Sequence, residues 1–330
     1  MISLSLIGAL FLGFALGRNN FSNLFGTAVG THMVRIQTAI FGAVLFILIG
    51  ALTGSMATTE SVMSFSRVAT PVDLIIVVFS AAIILEFLSH QGIPASIVQT
   101  IIGSLIGFDL YRQSNIDWEF IRSLITGWFL APFLAAGFGW GLMHLTRKIM
   151  ERYPISLFKR DKIIRMGLVI IGCWAAYALG ANNIGTITAP YIRVYSHTNP
   201  LLLVLIVCTG VGIGCRLSDK KVIETVGQRL FPLSPTEALV VMSATTISMI
   251  CFSAQNLQNL LIRLHLPVFP LIPIPMSEVM VGAICGIALS KGGYGLRFTV
   301  LTRIIISWFL VPLTGACFCL LLLKLGSLLG

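Results

Sequence analysis

ALGRNN occupies residues 15–20 and ALGANN residues 178–183, each where a long apolar run gives way to amides. A chain that writes this hexapeptide twice either uses glycine to bring two helices close or builds one polar device in two places. The surrounding sequence decides which.

The chain has 330 residues, 56% of them apolar and 10% charged, with a mean hydropathy of +0.95. A soluble domain carries about 25% charged residues. Stretches 36–54, 72–88, 120–146, 163–179, 198–215, 236–253 and 299–325 meet or approach the ~20 apolar residues of a membrane-spanning helix. They are too continuous for the alternating ~10-residue strands of a barrel. The composition therefore predicts an all-α polytopic membrane protein. Residues 1–17 lack the basic start and small-residue cleavage site of a signal peptide, and they read as the first membrane segment.

The net charge of +10 does not point to nucleic acid, because the excess is gathered in two loops. Residues 147–165 hold seven Lys or Arg against Glu151 and Asp161, and residues 216–229 hold Arg216, Lys220, Lys221 and Arg229. The positive-inside rule makes both loops cytoplasmic and predicts a multi-pass protein of a cell membrane, of the bacterial inner-membrane kind, in contact with lipid. The seven cysteines lie in or beside hydrophobic segments without metal-ligand spacing and read as space-filling residues. No metal or cofactor is expected.

Two further blocks recur in the same order as the hexapeptide. IPASIVQTIIGSLIG (93–107) matches IPIPMSEVMVGAICG (272–286), and GWFLAP (127–132) matches SWFLVP (307–312). The chain thus divides into a first transmembrane repeat, 1–146, a basic cytoplasmic linker, 147–162, and a second repeat, 163–330. Loop 55–71 holds Arg67 against Glu60, whereas its counterpart 216–229 is strongly basic. One loop is therefore expected outside and the other inside, so that each half crosses an odd number of times and both termini face out. Two inverted-topology repeats whose broken or short helices meet at the bilayer midplane are the architecture of secondary transporters.

Gly and Asn are weak helix formers, so each hexapeptide predicts a point where one half-helix stops and another starts. Such irregular backbone is tolerated at membrane depth only where protein or a cavity satisfies it, and a helix start suits an anion. Pro94 and Pro273 are expected in the first turns of short helices, with Gln99 and Glu278 at equivalent positions. The candidate substrate-binding residues are Asn19, Asn20, Asn23, Ser96, Gln99, Asn182, Asn183, Thr186 and Ser277. Arg18 adds a positive charge if it points inward, or else snorkels to the interface. Intramembrane acids are costly and usually functional, which makes Glu278 the candidate proton carrier. Glu86, four residues before His90, reads as an interfacial group.

These segments resemble the inorganic phosphate transporter (PiT) family, whose hallmark is a twice-occurring G-x-N-D-x-x-N. The first copy runs from Gly17 through Asn19, Asn20 and Asn23 to Gly30, and the second from Gly180 through Asn182, Asn183 and Thr186 to Pro190. The Pro blocks are similar to the family's P-V-S-T-T-H-x-x-x-G, best kept at Pro94, Ala95, Ser96 and Gly103. The resemblance implies a two-repeat oxyanion symporter driven by sodium or protons, holding phosphate between the four motifs, and a homodimer. The chain departs from the pattern with Asn20 and Asn183 in place of both aspartates, Thr186 for the last Asn of the second motif, and Gln99 and Glu278 in place of His. These departures set sulfate or another oxyanion beside phosphate. A passive anion channel is a further alternative. An enzyme is not expected, since H-E-x-x-H, G-x-S-x-G and paired intramembrane aspartates are lacking. Segment 254–272, with Arg263 and His265, reads as an interfacial hairpin or lid.

Overall fold

The computed structural model describes residues 2–92, 95–153, 156–197, 199–218 and 230–329. Pro94 and the loop residues Lys220, Lys221 and Arg229 lie outside them. The first half contains α1 (Ile2–Gly30), α2 (Ile36–Gly54), α3 (Met56–Phe65), α4 (Pro71–His90), α5 (Ile97–Arg112) and α6 (Trp118–Arg152). The second contains α7 (Leu157–Leu179), a π-turn (Gly180–Ile184), α8 (Gly185–Val194), α9 (Pro200–Arg216), α10 (Pro235–Cys251), α11 (Gln255–Arg263), α12 (Met276–Ser290) and α13 (Phe298–Leu329). Among the described residues, six helical stretches are long and apolar enough to cross a membrane, or seven if α10 and α11, bent by 71°, count as one span.

Local sequence signals set two helix starts in equivalent places. Thr70 accepts a hydrogen bond from the Asp73 backbone at the start of α4, and Ser234 forms a reciprocal capping box with Glu237 at the start of α10. Proline follows each cap, at Pro71 and Pro235, where its missing N–H costs nothing. From these starts α4 and α5, and α10 and α12, form hairpins. Asp73 pairs with Arg112 at 2.9 Å and Glu237 pairs with Lys291, so an ion pair ties the base of each.

Between the halves, helices meet backbone to backbone. A Cβ on Gly103 or Gly107 of α5 would lie 2.1 or 2.3 Å from the carbonyl oxygens of Pro312 and Ala316 on α13. In mirror fashion, Gly282 and Gly286 of α12 press on the carbonyls of Pro132 and Ala136 on α6. The second and third repeated blocks are thus the two sides of one interface, made twice. Helix α1 likewise packs against α9, and α7 against α2. In lipid, where apolar side chains gain nothing by leaving the solvent, such close approach supplies the dispersion contact that holds helices together.

Three expectations are revised. Helix α1 runs unbroken through ALGRNN, and ALGANN is absorbed as a π-turn between α7 and α8 rather than as a break. The hexapeptide glycines serve crossings, since a Cβ on Gly17 would meet the Val211 carbonyl at 2.2 Å and one on Gly180 the Ile47 carbonyl at 2.1 Å. Secondly, α12 begins after Pro273, not around it. Proline forces the preceding residue into extended backbone, and with Pro273 and Pro275 spaced by one residue the helix starts only at Met276. Thirdly, much of the basic stretch 147–162 is helical, in the last turns of α6 and the first of α7.

Replacing Gly286 with Val should destabilise the fold by ~1–3 kcal/mol or more through overpacking, whereas Gly137→Val, where nothing lies within 4 Å, should be neutral. Thermal unfolding in detergent micelles compares the two; equal melting temperatures would remove the interlock from the account.

Candidate functional site

The tips of the two hairpins are held by the two hexapeptides. The Asn19 side-chain amide donates to the Ala95 carbonyl just ahead of α5, and its oxygen accepts from Ser89 Oγ at 3.1 Å. Asn182, at the equivalent position, donates to the Ile272 carbonyl at 3.1 Å and accepts from the Ile274 N–H at 2.8 Å, just ahead of α12. Both residues are buried. Each asparagine therefore braces an extended segment that would otherwise leave backbone groups unpaired away from water.

The neighbouring amides are arranged differently. Asn20 Nδ2 donates back to the Leu16 carbonyl at 3.3 Å, and Asn20 Oδ1 accepts from Asn23 Nδ2 at 3.1 Å. A carbonyl can only accept, so the Leu16 contact fixes which way the Asn20 amide faces and, through it, the Asn23 amide. Asn23 Oδ1 is left over as an acceptor. It belongs to a set of buried polar atoms without hydrogen-bond partners that includes Thr27 Oγ1, Asn183 Oδ1, Thr186 Oγ1 and Ser277 Oγ. They sit on α1, the π-turn, α8 and α12, and α1 packs against α8 and α12. Thr27, absent from the sequence expectations, was detectable as the residue one helical turn beyond Asn23.

Between the hairpin tips, Gln99 of α5 donates its amide to Glu278 Oε1 of α12. The two equivalent positions thus touch, with Gln99 2% and Glu278 1% exposed. Ser96 caps α5 by accepting from the Gln99 backbone N–H at 3.5 Å. Trp128 of the GWFLAP block donates to the Pro273 carbonyl at 3.1 Å, binding the second hairpin's approach to the first half. Arg18 does not join the candidate residues. Its guanidinium pairs with Glu86 on α4, and His90 Nε2 lies 3.6 Å from the same carboxylate oxygen. An ion pair between helices α1 and α4 thus engages Arg18. Glu86, read as interfacial, is its partner. Among the described residues no cluster of three or more His, Cys, Asp or Glu is placed to hold a metal.

The chain is a polytopic helical membrane protein with buried polar groups drawn from both halves, and its family is one of transporters, not enzymes. Residues 16–319 match the phosphate transporter family, and the chain belongs to it. Relatives named as phosphate permeases by assignment include one from Methanocaldococcus jannaschii, 25% identical over 94% of this chain and 93% of its own. Another, from Haemophilus influenzae, is 22% identical over 98% and 96%. The fold is similar to that of a solved sodium-dependent phosphate transporter, with a TM-score of 0.78 and 18% identity over 98% of each chain.

Asn182→Ala strips a buried carbonyl and a buried N–H of their partners, at ~1–3 kcal/mol for each group left unsatisfied. Asn182→Ala and Asn19→Ala should therefore lower the melting temperature more than Asn20→Ala, whose donor returns to its own helix. Parallel thermal unfolding of the three variants checks the order.

Proposed function

We propose that the chain is a secondary active transporter that carries phosphate by alternating access. Phosphate is held between the hexapeptide helices and the hairpin tips, and the coupling proton rides on Glu278. The halves 1–146 and 163–330 are inverted repeats with both termini outside. One observation carries this reading: the unpartnered buried atoms of Asn23, Thr27, Asn183, Thr186 and Ser277 come from equivalent motifs of both halves. Each such atom costs ~1–3 kcal/mol when buried alone, and a polar substrate relieves that cost. Asn19 and Asn182 shape the site by holding its walls.

The chemistry of these atoms favours phosphate over sulfate. The three hydroxyls can donate to anion oxygens, but Asn23 Oδ1 can only accept. Phosphate near neutral pH still carries a P–OH to donate, whereas sulfate has no hydrogen to give. A site built to receive a hydrogen bond strongly rejects an analogue that lacks the donor. Proton coupling is supported by the replacement of both motif aspartates by Asn20 and Asn183, which leaves Glu278 as the carboxylate at the hairpin tips.

Uptake of radiolabelled phosphate into proteoliposomes, under imposed proton or sodium gradients, tests the reading. The expected result is saturable, concentrative uptake driven by the proton gradient and little affected by tenfold excess sulfate. Glu278→Gln should abolish concentrative uptake while sparing phosphate exchange. Competition by sulfate equal to that by phosphate would overturn the selectivity. Drive by sodium alone, unaltered in Glu278→Gln, would move coupling elsewhere, and flux that never concentrates phosphate would make the protein a channel. Separately, Glu60→Cys and Val222→Cys should be labelled from opposite faces of the membrane; labelling from one face would remove the inverted topology.

A further inference from the structure

Helices α5, α6, α12 and α13 enclose a cavity of about 220 Å³ whose composition does not suit an anion. Its polar lining is Gln99, Glu278 and the indole N–H of Trp308, a buried donor without a hydrogen-bond partner, and none of its lining residues is Lys, Arg or His. Its walls include four aromatic side chains in equivalent pairs, Trp128 with Trp308 and Phe129 with Phe309. Phe129 and Phe309, 45% and 56% exposed, stand on the lipid-facing surface with ring centroids 5.7 Å apart.

Within the described residues, Gln99 is the donor that reaches the Glu278 carboxyl, and it reaches one oxygen. The indole N–H of Trp128 is spent on the Pro273 carbonyl, which leaves its ring as π surface. A carboxyl group at the end of an aromatic-walled chamber has the two attractions that select an organic ammonium ion, a counter-charge and electron-rich ring faces. A small inorganic cation would have to shed tightly held water to enter a cavity with so few polar groups, whereas an alkylated ammonium holds its water less tightly and is drawn to ring faces. The volume lies below the ~300–1,000 Å³ of drug-sized sites, so the ligand is small.

We propose that this cavity is a binding site for a small organic ammonium ion, which pairs with Glu278 between the aromatic pairs. Binding does not depend on the transport reading. Its consequence does: if Glu278 carries the coupling proton, a bound ammonium occupies that carboxylate and inhibits uptake.

The test uses the full chain in neutral detergent and two probes of one shape, benzyltrimethylammonium and its uncharged carbon isostere neopentylbenzene, with binding read by tryptophan fluorescence and calorimetry. The expected result is saturable binding of the ammonium at least tenfold tighter than the isostere. Phe309→Leu, at a lipid-exposed position where folding is not at stake, should weaken ammonium binding about threefold to tenfold. In Glu278→Gln the two probes should bind alike. Equal affinities in the native chain, an ammonium preference that survives Glu278→Gln, an unaltered affinity in Phe309→Leu, or no saturable binding would each overturn the site. Phosphate uptake measured without probe on the same preparation separates the two readings: failed uptake with an intact charge preference removes the transport proposal and leaves the cavity, and the reverse result does the opposite.

Discussion

The architecture hangs on contact between bare backbones across the two halves. Gly103 and Gly107 lie on the carbonyls of α13, and Gly282 and Gly286 on those of α6. A membrane gives helices little hydrophobic reason to associate, so affinity has to come from contact area and close approach. The contact sets the height of both hairpins, and hence where their tips meet. If either helix stood off by the width of a methyl group, Gln99 and Glu278 would no longer share a hydrogen bond. The site is thus a product of steric fit some distance from it.

Charge and amide chemistry then do separate work at the two ends of each hairpin. At the base, Asp73 with Arg112 and Glu237 with Lys291 use ion pairs that solvent partly screens. At the tip, where an unpaired charge would be expensive, Asn19 and Asn182 hold the backbone with neutral amides. A neutral amide both donates and accepts, so one side chain satisfies two groups without bringing a net charge near a substrate. This division explains why the buried centre contains many asparagines and hydroxyls and so few ions.

How much of this could be read from residues alone depended on whether the relevant partner was local. Helices such as Ile36–Gly54 and Pro71–His90 follow directly from apolar run length, and the three repeated blocks announced which residues would be equivalent. The hexapeptides misled because Gly and Asn are weak helix formers in isolation. Here tertiary contact overrides propensity: Gly17 is needed for the crossing with α9, while Asn19 and Asn20 find acceptors without interrupting the helix ladder. The partner of Arg18 is 68 positions away on α4, and nothing in its neighbourhood pointed there. The start of α12 falls one proline later than expected because Pro275, like Pro273, keeps the residue before it extended. Of the candidate site, the residue types were legible, but which amides brace and which remain open was not, since that depends on carbonyls such as those of Leu16 and Ala95.

The hydrogen bond from Gln99 to Glu278 has one more implication. Were the two halves identical in sequence, the residues meeting at that point would be two amides or two acids. Two acids would have to share a proton to avoid repelling one another, and two amides would leave no group able to ionise. Joining unequal halves in one polypeptide allows a donor to face an acceptor where two equivalent positions meet. It also leaves a single ionisable group at that contact, where two acids would titrate as a coupled pair.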